Sequence, residues 1–154
     1  MTEELNFRQE YRVTTFVAAA MISAVAVYAA LVTMIQFQHQ PFVGFAPQSL
    51  GQLREGFFLA ILFVLVGVRM SRKSVLKKSP GDTPKTLVNK LRTATIITFA
   101  LCEVPAILGL VLFLLAGSTK DFYSLALVSL AFMVLYFPRY RHWETWVVGS
   151  AGIY

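Results

Sequence analysis

The chain has 154 residues, 56% of them hydrophobic and only 14% charged, where an ordinary soluble domain carries about 25% charged residues. With a mean hydropathy of +0.63, that composition excludes a disordered chain and argues against a water-soluble enzyme, while a single Cys excludes an internal disulfide and any all-Cys metal site. In so apolar a chain the net charge of +6 reads as a signal of membrane orientation rather than of nucleic-acid binding.

A membrane-spanning helix needs roughly 20 apolar residues, and four segments approach that length. The first span covers about residues 14–35. Glu3, Glu4 and Glu10 accompany Arg8 and Arg12 ahead of it, so a basic leader region is missing and the apolar run is too long for a signal peptide; a retained helix is expected. Ala19, Ser23, Ala26 and Ala30 recur along it at helical spacing, a stripe of small residues that lets another helix approach closely. The outer loop that follows holds Phe37, Phe42 and Phe45 with Pro41 and Pro47, residue types that suit a lipid interface.

The second span covers about 50–70 and leads into a basic stretch, 71–92. Arg72, Lys73, Lys77, Lys78, Lys85, Lys90 and Arg92 fall within it. The third span, about 93–116, contains Glu103, ten residues in and so about 15 Å along the axis at 1.5 Å per residue. A charge near the bilayer midplane is costly, so the carboxyl is expected to be neutral at rest or paired. Pro105, two residues after Glu103, removes the helix hydrogen bond to the Leu101 carbonyl one turn below it and predicts a bend around Glu103. Ala100, Ala106 and Gly109 lie three or six residues from Glu103, giving a second small-residue face. Counting from Arg12 and Arg92 as interface markers puts Ser23 and Glu103 at one depth, and a hydrogen bond between them is expected.

The fourth span covers about 122–137. The tail, 138–154, mixes Arg139 and Arg141 with Tyr140, Trp143 and Trp146, which predicts a short interfacial helix. Irregular backbone is not tolerated in hydrocarbon, so all four spans read as helices. The expected fold is all-α: one integral membrane domain, 1–154, with four transmembrane helices. Lys and Arg gather before span one, after span two and after span four, leaving Arg54 and Lys120 opposite. The positive-inside rule then puts both termini and the basic stretch in the cytoplasm, with the protein multi-pass in the cell membrane, the inner one in a bacterium.

The run from Lys90 to Val111, with Ala100, Glu103, Ala106, Ile107, Gly109, Leu110 and Val111, resembles the carboxylate helix of the c subunit (proteolipid) of rotary ATP synthases. A basic cytoplasmic loop precedes that helix in the family as here, and Pro84 stands near the family's loop proline. The resemblance implies that Glu103 is a proton-carrying carboxyl. Val104, in place of a Ser or Thr directly after it, implies protons rather than sodium. The chain is divergent, since span two has Gly only at Gly56 and Gly67 where the family's partner helix is glycine-rich.

The expected function is a proteolipid-like membrane protein that binds or relays protons through Glu103, aided by Ser23. The alternative is a structural or accessory subunit of a larger membrane complex. Expected partners are membrane lipids with further copies of the chain or other subunits, and no nucleic acid. Cys102 reads as a small apolar residue, and His39 and His142 fall on opposite sides of the membrane. No nucleophile–base pair, metal cluster or phosphate loop is legible, so neither an enzyme nor a cofactor is expected.

Overall fold

The structure, a computed structural model, describes the backbone of residues 2–39, 42–46, 48, 50–77, 79 and 81–148, and their side chains except at 2–6, 50, 142 and 148. Pro41, Pro47, Lys78, the side chain of His142 and the end of the tail at 149–154 lie outside the described residues. What is described is all-helical: α1 (Thr2–Gln38), α2 (Leu50–Val75), α3 (Pro84–Ala116), α4 (Thr119–Leu135) and α5 (Tyr140–Val148).

The helices outrun the apolar segments at one end. α1 begins twelve residues before Thr14, α2 continues to Val75, and α3 begins at Pro84, so most of the basic stretch is helix rather than loop. Glu, Gln, Lys and Arg are good helix formers and let the ladder continue beyond the apolar run. Thr83 caps α3 by accepting the Thr86 amide at 3.3 Å, with Pro84 in the first turn, where its missing N–H costs nothing. α4 is shorter, at 17 residues or about 25 Å. α1 from Phe7 to Gln38 and the whole of α3 are long and apolar enough to cross a membrane.

α3 is the hub, with α1, α2, α4 and α5 all packed against it and α1 also against α4. The core runs along it through Phe99, Cys102, Ala106 and Phe113, closed by Phe122, Ala126 and Met133 of α4 and Val68 of α2. α1 enters by a seven-residue seam, Ala18, Val25 and Val32, with Thr14 one turn earlier, all buried. The small-residue stripe expected to do this is turned away: Ala19, Ser23, Ala26 and Ala30 are exposed. Ala18 and Val25 of the seam each have a stripe counterpart one position later, Ala19 and Ala26, rotated by about 100°, and the bulkier valines fill the space against α3. On α3 the expected small residues divide, with Ala106 and Gly109 buried and Ala100 exposed.

At Gly109 the backbone of α3 comes close to α4. A Cβ there would lie 3.1 Å from the Leu125 Cβ and 3.3 Å from the backbone of Phe122. Gly56 and Gly67 of α2 have nothing within 4 Å of the same position, so neither serves a tight contact within the chain. α2 presents Phe58, Leu59, Leu62, Phe63, Val66 and Met70 outward.

Each end of the bundle is tied off. At one end the loop after α1 folds over the carboxyl end of α3, where Phe45 and Ala46 donate their amides to the carbonyls of Leu114 and Leu115 at 3.1 and 2.6 Å. Those carbonyls have no partner within the helix. Gly44 and Gly117 face one another here with φ of +83° and +68°, and a Cβ on either would strike the other segment's backbone. Phe42 packs on Phe113 at 5.0 Å between ring centroids, whereas Phe37 and Phe45 are exposed.

At the other end α5 forms as the sequence predicts but folds inward. Trp143 is buried with Val88 and Leu91 of α3 and meets Phe7 and Tyr11 of α1 edge-on. The Tyr11 hydroxyl donates to the Pro138 carbonyl at 3.0 Å, and Arg92 pairs with Glu10 at 3.0 Å. The start of α1, the α2–α3 loop and α5 therefore share one end of the bundle, the end that carries nearly all the Lys and Arg residues.

Candidate functional site

Glu103 lies half-buried midway along α3, and α1 supplies its partner. The Tyr28 hydroxyl donates to Glu103 Oε1 at 2.7 Å. The expected partner, Ser23, instead donates to the carbonyl of Ala19 in its own helix at 3.0 Å. Tyr28 stands five residues beyond Ser23, a rise of about 7.5 Å. A helical side chain leans toward the N-terminus of its helix, and the length of the phenol makes up most of that rise. Counting Cα levels ignored the reach and lean of the side chains opposite. A tyrosine within an otherwise apolar run was the available signal, since a phenol in hydrocarbon needs a hydrogen-bond partner.

Pro105 is buried, and α3 continues unbroken through it. The neighbouring turn is braced by a residue the sequence did not single out: Ser129 of α4, fully buried, donates to the Cys102 carbonyl at 2.6 Å. Cys102 is a free, buried thiol. Thr95 and Thr98 bond back to the carbonyls of Leu91 and Ala94, so their hydroxyls are satisfied within α3 and do not face Glu103 as donors.

From Tyr28 a series of polar contacts follows α1 toward the end that bears Arg54. Thr33 Oγ1 lies 3.0 Å from the Tyr123 hydroxyl, and the Gln36 amide donates to the Thr119 hydroxyl. There Ser118 donates to Asp121 at 2.6 Å, and Arg54 of α2 lies 3.4 Å from the same carboxylate. Among the described residues no three His, Cys, Asp or Glu side chains come together as a metal site. The arrangement offers one carboxyl–phenol pair inside an apolar bundle and a line of hydroxyl and amide groups between it and one end.

Comparison with known protein families, with characterised proteins and with solved structures finds no match to this chain.

Proposed function

We propose that this chain is an integral membrane protein in which α1 to α4 all span the bilayer, the basic end is cytoplasmic, and Glu103 binds and releases protons in the manner of a proteolipid carboxyl. The hydrogen bond between Tyr28 and Glu103 carries the reading. Intramembrane acids are expensive and are retained for function, and here the acid has one dedicated partner from a neighbouring helix. The phenol occupies Oε1 and leaves Oε2 to take the exchanging proton. Thr33, Tyr123, Gln36 and Thr119 supply hydroxyl and amide steps toward the outer face. Large exposed apolar side chains on α1, α2 and α4 support the lipid setting, since a soluble monomer rarely carries such extensive apolar surface.

The test is reaction of the reconstituted protein with a hydrophobic carbodiimide, which modifies a protonated acid in apolar surroundings. Modification confined to Glu103, lost in Glu103→Gln, supports the proposal; an unmodified Glu103 refutes it. Single cysteines placed at Lys73 and Gln52 in a Cys102→Ala background test the topology, since an impermeant thiol reagent should reach them from opposite sides.

A second reading rests on the outward stripe of Ala19, Ser23, Ala26 and Ala30: a structural subunit that docks α1 against another helix of a membrane assembly. It requires that Glu103→Gln leave the assembly working and that bulky replacement of Ala26 disrupt it.

A further inference from the structure

At the basic end, α2, α3 and the α4–α5 junction enclose an open cleft of about 550 Å³, within the roughly 300–1,000 Å³ range of small-molecule sites. Arg72 enters from α2, and Arg139 and Arg141 from the start of α5, while Tyr136 and Trp143 form apolar walls. No carboxylate lines it, and among the described residues none pairs with any of the three arginines. Glu10 pairs with Arg92 and Asp82 with Lys90, and Glu144, exposed on α5, neither lines the cleft nor forms an ion pair with Arg139 or Arg141. Arg72 rests over the Tyr136 ring at 5.1 Å, which fixes one wall while leaving the guanidinium edge open. Three cations around one cleft with no carboxylate in its lining repel one another, and a bound anion offsets that repulsion.

We infer that this cleft binds the phosphate headgroup of an anionic diacyl phospholipid. The guanidinium fork matches phosphate oxygens two at a time. A lipid rather than free phosphate is argued from the apolar surface at the cleft: exposed Leu135 of α4 lines it, with exposed Val134 directly before it in α4 and exposed Met70 two residues before Arg72 in α2, surface on which acyl chains can lie. Basic pockets between helices on the cytoplasmic side are suited to such headgroups. The inference rests on the membrane reading, so the experiment separates the two.

The intact protein is incorporated into phosphatidylcholine nanodiscs, which tests membrane placement by itself. It is then titrated with dioleoyl phosphatidylglycerol in detergent and bound lipid is counted by native mass spectrometry. Phosphatidylglycerol should bind at least tenfold more tightly than phosphatidylcholine. The Arg139→Gln/Arg141→Gln pair, both exposed residues whose loss leaves the core intact, should weaken it about thirtyfold, at roughly fivefold per cation. Lys73→Gln/Lys85→Gln removes the same charge from the same end outside the cleft and should change it little. Equal loss in both pairs overturns the site in favour of diffuse surface charge. Binding of inorganic phosphate that displaces the lipid overturns the lipid assignment, and equal affinity for the two lipids overturns the inference altogether. Failure to enter nanodiscs refutes the membrane reading instead.

Discussion

Gly109 and Gly67 occupy equivalent secondary structure but opposite surroundings, and replacing each by Ala isolates packing from propensity. Ala is favoured over Gly inside a helix by about 1 kcal/mol, and both variants receive that gain. At Gly67 a Cβ meets nothing within 4 Å, so Gly67→Ala is expected to stabilise the protein by up to that amount. At Gly109 the new carbon lies 3.1 Å from Leu125 Cβ and 3.3 Å from the Phe122 backbone. Leu125 is a core side chain and Phe122 presents main chain, so neither yields as a flexible tip would. Overpacking of this kind costs about 1–3 kcal/mol. The difference between the variants is then about 1–3 kcal/mol, with the propensity gain cancelled. Gly109→Val should widen it, because the branched carbons meet the same wall. The assay is reversible unfolding in mixed micelles followed by Trp fluorescence. Equal stability of Gly109→Ala and Gly67→Ala would refute the close approach of α3 and α4 at this point.

Three further outcomes are expected. Trp143→Ala should cost about 3–5 kcal/mol and raise protease sensitivity at the start of α1, because Phe7 and Tyr11 lose the ring they pack on; unchanged cleavage there would show that α5 is not docked. Ser129→Ala should cost about 1 kcal/mol, read from the same unfolding assay, with hydrogen exchange increased on α3 around Cys102 and Pro105. In the α2–α3 loop, hydrogen bonds from Lys90 and from the Ser79 amide hold the Asp82 carboxyl below its usual range. An unfolded Asp takes its proton near about pH 3.9, so this contribution to stability is complete above that pH and is lost as the pH falls through the lower folded value. The protection factor of the Ser79 amide should therefore hold from neutral pH to about pH 4 and decline below it, whereas Asp82→Asn should show a low, flat profile.

The helices and the sharing of one end by the start of α1, the basic stretch and the tail were legible because apolar run length and Lys and Arg placement report them directly. Glu103 was legible as a lone acid in a run of Leu, Ile and Ala, and Gly109 as a site of close approach. The inward face of α1 was not. A helix that is apolar on every side has no polar face to oppose its core face, so the stripe of Ala19, Ala26 and Ala30 and the seam of Ala18, Val25 and Val32 look alike in sequence. Tyr28 and Ser129 escaped for a related reason: each makes one hydrogen bond to another helix, and a register between helices is not written in either helix alone. Trp143 fits an interfacial residue by type, but its burial depends on Phe7 and Tyr11, more than 130 residues earlier in the chain.

The clasp between Gly44 and Gly117 bears on how the chain assembles. α1 and α2 are synthesised first, yet they pack on α3 far more than on each other. The carbonyls that Phe45 and Ala46 cap do not exist as a helix end until residue 117 has been made. The first half of the protein therefore leaves the ribosome as two helices with little to hold them together, and the loop after α1 waits for a partner about 70 residues downstream. On the proposed membrane reading, quality-control factors that guard unpaired membrane segments would meet this chain during that interval, and a stop at Gly117 or later should shorten their residence on it.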